Sequence, residues 1–347
     1  MPVDLSVLAG AYLRDLLAQP EAVVATLAGL RDQPPLPARA FSCARIVLTG
    51  MGSSLHALYP LHLRLIRAGH APVSVETAEL VHAQSALLDE RALVLAVSQS
   101  GRSAEILQLL DLIAARASRP FVIGVTNTVG SPLATRADVA VPLHAGPEFS
   151  VSCKTYLAAL VALEWLGSIL CGDDLAALFG EFAPVARAVE SYLAGWREHA
   201  AHLTIEFAGL RHLFLTGRGA SLAAVGTGAL ILKESTRFHA EGMSSPAFRH
   251  GPLEMVNPGL HALVFAGEPA TAPLNESLVR DIRAAGGRAW WVGETAPVAV
   301  FRLPDSPARL RPMFEILPVQ MLSLALAALA GREPGRFERA TKITSVA

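Results

Sequence analysis

Two tandem α/β units, each a parallel sheet wound on both faces by helices, are what this 347-residue sequence predicts. Three observations carry that expectation. Short, wholly apolar runs alternate with longer helical patterns, as expected of strands buried on both faces of a sheet. A Gly-x-Gly turn follows a strand-like run twice, in Thr49-Gly50-Met51-Gly52-Ser53-Ser54 and in Thr216-Gly217-Arg218-Gly219-Ala220-Ser221, a displacement of 167 residues. Two further matches follow in the same order, Arg91–Ala96 with His261–Ala266 and Arg119–Gly124 with Arg288–Gly293, displaced by 170 and 169 residues. Three ordered matches at a nearly constant offset mark an internal duplication, a tandem repeat of one α/β unit.

The elements follow from local pattern. Strands are expected at Arg45–Thr49, Val73–Glu76, Leu93–Val97, Phe121–Val125 and Val139–Pro142, and in the second copy at the three matched runs beginning His212, His261 and Arg288. Helices are expected over Ser54–Ala68, Ser103–Ala117, Lys154–Leu170, Ala220–Phe238 and Asn275–Ala285. Leu5–Leu30 reads as one or two amphipathic helices, and a helical connector near Asp173–Thr204 joins the copies. The division expected is an N-terminal helical segment over 1–34, a first domain over 35–195 and a second domain with a C-terminal tail over 196–347.

Composition narrows the function classes. The formal net charge is −1 with 17% charged residues, so no basic face for nucleic acid is expected. Mean hydropathy is high at +0.40. Even so, Glu164 interrupts the run Tyr156–Cys171 and the stretch around Met321–Ala330 is short of a span, so no membrane crossing is expected. Part of the apolar surplus could cover a subunit interface. Met1-Pro2-Val3-Asp4 has an early acid and no basic start, so no signal peptide is expected. Three widely spaced cysteines, Cys43, Cys153 and Cys171, fit a reducing compartment with no disulfide framework and no zinc site; cytoplasm is the expected location.

The densest chemistry is Ser98-Gln99-Ser100-Gly101-Arg102-Ser103, a Ser/Gly turn between a wholly apolar strand and a helix N-terminus. Free backbone N–H groups and the positive helix end make such a turn an anion site. The hydroxyls of Ser98, Ser100 and Ser103 and the Gln99 amide add neutral hydrogen bonds, which suits a phosphate monoester. The other reading is an ordinary loop in which Ser103 caps the helix. The second copy runs instead into Gly267-Glu268-Pro269-Ala270, so one phosphate site per chain is inferred, beyond the strand ends of the first copy. At Gly50-Met51-Gly52-Ser53-Ser54 the third glycine of a dinucleotide turn is replaced by Leu55, so no nucleotide cofactor is expected. Ser53 and Ser54 fit a small-ligand contact or a simple helix cap equally well.

Glu234 lies on the helix that opens at the second Gly-x-Gly turn, and His250 sits in a loop ending Gly251-Pro252. A carboxylate and an imidazole suit proton transfer beside a sugar phosphate; each is also an ordinary surface or loop residue. Lys342 stands in a polar, β-branched tail, either solvated or, if the tail packs over a pocket, able to attack a carbonyl.

Taken in order, the Ser-Gln-Ser-Gly-x-Ser loop, the doubled unit, Lys-Glu followed by His-Ala-Glu, Arg-His-Gly-Pro-Leu and the terminal Thr-Lys-Ile-Thr-Ser-Val resemble the sugar isomerase (SIS) domain family. The likeness is to the isomerase half of glucosamine-6-phosphate synthase and to stand-alone deaminases and fructosamine-type deglycases. It runs from about residue 35 to the end.

The resemblance implies two flavodoxin-like domains and a phosphosugar isomerase or aminosugar-phosphate deaminase without cofactor or metal. It implies phosphate binding by Ser98, Gln99, Ser100 and Ser103 with Ser53 and Ser54 nearby, and a backbone contact to the sugar at Val151. It further implies Glu234 as the base between C1 and C2, His250 as the ring-opening group lent across a homodimer interface, and Lys342 as the Schiff-base lysine. The chain departs from the family in three places, one of them the segment Glu241–Phe248, which differs from the synthase-like pattern. It begins Met1-Pro2-Val3 where the synthase has a glutaminase domain, so glutamine-dependent synthesis is not expected. Ile231 stands where the family helix usually carries a second lysine. A deglycase acting on a fructosamine 6-phosphate and a non-catalytic sugar-phosphate sensor are the alternatives.

Overall fold

The computed structural model describes residues 3–339 and 341–344, and it resolves into two compact units that interleave along the chain. One comprises Gln19–Glu148, Lys154–Ala186 and the tail from Glu338; the other comprises the residues up to Ala18, Phe149–Cys153 and Arg187–Phe337. This division departs from a simple 1–34, 35–195, 196–347 partition. The N-terminal segment is shared between the units, and the tail belongs with the first copy.

The first unit holds five parallel strands, β1 (Arg45–Gly50), β2 (Val73–Glu76), β3 (Ala92–Val97), β4 (Phe121–Thr126) and β5 (Val139–Pro142). Their order is β2-β1-β3-β4-β5, the doubly wound arrangement whose ligands bind beyond the strand C-termini. β3 and β4 are buried at every position, as their unbroken apolar runs require. One sheet face, with Val47, Val94 and Val122, packs against Leu80 and against Ile106, Leu109 and Ile113 of the helix Ala104–Ala114. Leu48, Leu93, Leu95 and Ile123 alternate to the other face and are fully buried. On that side the helices Gln19–Arg31, Tyr59–Arg67 and Lys154–Cys171 pack on one another. The single helix expected over Ser54–Ala68 is two, Ser53–Ala57 and Tyr59–Arg67, because Pro60 opens a new first turn.

The second unit repeats the plan with β6 (His212–Gly217), β7 (Ala240–Ser244), β8 (Leu260–Phe265) and β9 (Arg288–Val292), in the order β7-β6-β8-β9, all parallel. Position for position this is the order of β1 to β4. A fifth strand is reduced to one parallel bridge between Gly293 and Arg302. Phe214, Ala262 and Val264 pack on Phe248, Leu278 and Ile282, while the helices Trp196–Glu206, Leu222–Thr236 and Pro312–Leu329 pack together.

Two 18-residue helices, Lys154–Cys171 and Pro312–Leu329, are long and apolar enough to cross a membrane, the second longer than the run around Met321 implied. They are 83% and 94% buried within the protein, so each is a core helix.

Candidate active site

The strand ends of the first unit carry a connected set of loops. Gly50 stands in register with Val97, so the turns after β1 and β3 leave the sheet side by side. The turn after β1 reverses at Gly52, whose φ of +52° suits glycine and which occupies the N-cap position of the next helix. Ser53 and Ser54 are thus the first helical residues, half-buried, and neither is the cap.

The turn after β3 is held firmly. Ser98 N–H donates to Val125 O at 3.0 Å, Asn127 N–H to Gln99 O at 3.0 Å, and Leu133 N–H to Gly101 O at 3.0 Å. Gly101 has a φ of +62°, and a methyl there would collide with Ser131 Oγ. Ser98 Oγ accepts from Gly101 N–H at 3.2 Å and Ser100 Oγ from Arg102 N–H at 3.3 Å. With an oxygen lone pair used internally, each hydroxyl is left to donate its hydrogen, the polarity a phosphate needs. Ser103 occupies the N-cap position of the helix Ala104–Ala114, but its hydroxyl makes no capping bond. Gln99 and Ser103 are half-buried and Arg102 is exposed.

The C-terminal tail docks on this edge. Ala104 N–H, in the first turn of the helix behind the serine loop, donates to Thr344 O at 3.1 Å. Lys342 Nζ donates to Glu148 Oε2 at 2.6 Å. Glu148 lies in the loop after β5, with its side chain fully buried. That loop is tied back to the serine turn through Asn127, whose Oδ1 accepts from Ala145 N–H at 2.9 Å and whose Nδ2 donates to Gly146 O at 2.7 Å. The serine turn, the two following loops and the lysine-bearing tail therefore form one hydrogen-bonded set. Ser345 and Val346 of the tail motif lie outside the described residues. Glu148 and its partner Thr155 were not among the sequence candidates; a lone acid after Gly146-Pro147 in an otherwise apolar stretch was the signal available.

The remaining candidates belong to the second unit. Val151 is 1% exposed, buried as a whole residue. Glu234 is half-buried in the last turn of the helix Leu222–Thr236, the end remote from that unit's Gly-x-Gly turn. His250 ends the short helix Ser245–Arg249 beyond β7, with its side chain exposed. Ile231 is fully buried in the helix face that packs inward.

The strand ends of the second unit are filled by the protein itself. Ser221 Oγ donates to Glu315 Oε1 at 2.6 Å, and burial pushes the Glu315 carboxyl up to about 7. Arg311 donates to Gly267 O at 2.6 Å and to Glu294 at 2.8 Å. Among the described residues, no group of three or more His, Cys, Asp or Glu is arranged to hold a metal ion.

Comparison with known proteins identifies the lineage. The family model described as SIS domain matches residues 41–168 and 206–330. Glutamine–fructose-6-phosphate aminotransferase [isomerizing] of Pyrococcus horikoshii is 32% identical over 346 residues, covering 96% of this chain and 57% of that protein. The Streptomyces coelicolor protein of the same name is 28% identical, covering 96% of this chain and 58% of its own length. The chain thus spans little more than half the length of these relatives. Among solved structures, the C-terminal domain of glucosamine-fructose-6-phosphate aminotransferase from Francisella tularensis superposes with a TM-score of 0.84 at 22% identity, covering 94% of this chain and 98% of that one. Glucosamine-6-phosphate deaminase from Thermotoga maritima gives 0.79 at 18% identity, covering 97% and 100%. At these identities the structural likeness bears on the fold. The duplicated sheets, the serine turn and the two family matches together make this chain a member of the SIS domain family.

Proposed function

We propose that this chain is a phosphosugar isomerase that deaminates an amino-sugar 6-phosphate, converting glucosamine 6-phosphate and water to fructose 6-phosphate and ammonia without glutaminase activity. The observation that carries the reading is the docked tail: its lysine, Lys342, stands two residues before Thr344, whose carbonyl accepts from Ala104 N–H behind the serine turn. A phosphate holder and a nucleophilic amine at one sheet edge suit carbonyl chemistry on a phosphorylated sugar.

In this reading Ser98, Gln99, Ser100 and Ser103 bind the phosphate, with Ser53 and Ser54 beside them, and the Val151 backbone contacts the sugar. His250, lent by the second copy in a homodimer, opens the ring. Glu234 takes the proton from C2 and returns it to C1 while O1 gains a proton and the C2 nitrogen gives one up, leaving an imine at C2. Lys342 attacks that carbon, ammonia leaves, and water releases the ketose from the lysine imine. No nucleic acid or membrane enters the scheme, and the free cysteines accord with a cytoplasmic enzyme. Ile231 favours keeping fructosamine 6-phosphate as a second substrate, because the second cation of the family helix is replaced by a buried apolar side chain.

The test is ammonia release from glucosamine 6-phosphate coupled to detection of fructose 6-phosphate, with fructosamine 6-phosphate in parallel. Turnover is expected, and Lys342→Ala should lower it by about 10³-fold or more while phosphate-sugar binding survives. Turnover on fructosamine 6-phosphate alone would make the protein a deglycase. Thermal stabilisation by both sugars without turnover would make it a sensor. An active monomer in light scattering would remove the shared histidine.

A further inference from the structure

An ammonium ion cannot attack a carbonyl, so a Schiff-base lysine must first lose a proton. The docked tail supplies an acceptor for it. Lys342 Nζ lies 2.6 Å from Glu148 Oε2, and the Glu148 side chain has no solvent exposure. Thr155 fixes the same carboxylate from behind, its N–H reaching Oε1 at 3.1 Å and its Oγ1 donating to Oε2 at 2.7 Å. Thr155 stands in the first turn of the 18-residue helix Lys154–Cys171, where N–H groups that have no intrahelical acceptor and the helix dipole favour a carboxylate. Glu148 is thus held in place independently of the lysine, with one oxygen aimed at it.

We propose that Glu148 is the residue that positions Lys342 and accepts its proton. This rests on the reading of Lys342 as the imine-forming amine. The Nζ–H bond breaks, an O–H bond forms at Oε2, and both charges vanish. The freed nitrogen lone pair bonds to the carbonyl carbon of the ketose product, the reverse of its hydrolytic release and the direction that trapping reads. The Glu148 proton then goes to the carbinolamine hydroxyl, which leaves as water, and the iminium so formed pairs with the regenerated carboxylate. No further reactant is required.

The experiment is reductive trapping of fructose 6-phosphate with cyanoborohydride, located by peptide mass, in wild type, Glu148→Gln and Glu148→Asp from about pH 6.5 to about pH 9.5. Wild type should label at Lys342 with a rate that changes little over this range. Glu148→Gln should be at least about tenfold slower near neutrality and gain about tenfold per pH unit as solvent takes over deprotonation, closing the gap at high pH. Glu148→Asp, which keeps a carboxylate, should recover part of the neutral rate. A Glu148→Gln profile parallel to wild type, whether equal or uniformly lower, overturns proton acceptance and leaves only docking.

Failure of the underlying reading is separable. If wild type gives no adduct at Lys342, the imine and the proton step both fall. The positioning claim then stands or falls on tryptic cleavage after Arg339 and Lys342 without substrate. Cleavage about tenfold faster in Glu148→Gln sustains it, and equal rates refute it.

Discussion

The two copies share the order of their first four strands and part company where those strands end. In the first unit the turn after β3 is Ser98-Gln99-Ser100-Gly101, braced by backbone bonds and left with hydroxyls to donate. In the second the matching turn after β8 is Gly267-Glu268-Pro269-Ala270, and Arg311 occupies its carbonyl side while Glu315 takes Ser221. One edge presents hydroxyls with hydrogens left to donate, and the other is occupied by the protein's own charges. The lesson is that a doubly wound sheet offers a site wherever its strands end, and side chains decide whether that site stays open.

The sharpest way to break this contrast is a methyl group in each turn. Gly101→Ala meets a positive φ and a collision with Ser131 Oγ, with Thr126 Oγ1 at 2.8 Å. It should abolish stabilisation by sugar phosphate and cost about 1–3 kcal/mol in urea unfolding. Gly267→Ala also sits at positive φ, but its nearest neighbour is at 3.4 Å. It should cost about 1 kcal/mol and leave ligand binding alone. Equal effects on binding would end the distinction between an open and a closed edge.

Single hydroxyls sharpen it further. On the proposed phosphate-binding role, Ser100→Ala removes a donor used in ground and transition states alike, so KM should rise about tenfold with kcat nearly unchanged. Ser221→Ala strips Glu315 of its hydrogen bond. It should cost about 1–3 kcal/mol of stability without moving KM. Steady-state kinetics and denaturation on the same two variants check both.

The subtlest expectation concerns pH. The folded Glu315 value of about 7 lies above its usual 4.5, so its contribution is complete below about 4.5 and is lost as pH rises towards 7. His261 runs the other way. Burial, aided by Arg288, lowers it from 6.5 to about 4, so its contribution is present above 6.5 and is lost as pH falls towards 4. The two slopes oppose each other in wild type. Glu315→Gln should remove the falling slope, so the stability difference between the two proteins should change by on the order of 3 kcal/mol between about pH 4.5 and about pH 7. Tryptophan fluorescence follows mainly this unit, which holds Trp196, Trp290 and Trp291 of the four tryptophans; replacing Trp165, in the other unit, by Phe isolates this signal. A constant difference would mean that Glu315 is not the buried acid described.

Much of this contrast was legible in the sequence, and the exceptions have physical causes. Strands buried on both faces announce themselves as apolar runs, so β1, β3, β4, β6 and β8 fall where the pattern puts them. Strand β7 was missed because Ala240-Glu241-Gly242-Met243-Ser244 is an edge strand with exposed positions and no apolar run, although the repeat offset applied to Val73 lands on Ala240. The serine turn was legible because four polar residues after a wholly apolar strand are conspicuous. Glu148 was not, because its meaning depends on a lysine 194 residues away. Nor was the exchange of segments between units, which is a property of packing that no local pattern records.

The interleaved chain has a consequence for synthesis. Residues 341–344 leave the ribosome after both sheets have been made, yet they complete the first unit, where Ala104 N–H bonds Thr344 O and Glu148 receives Lys342. A nascent or clipped chain ending at Phe337 would carry the whole serine turn and lack the amine. On the proposed mechanism it would be a holder of sugar phosphates without chemistry, and the short tail around Lys342 would turn a binding protein into an enzyme.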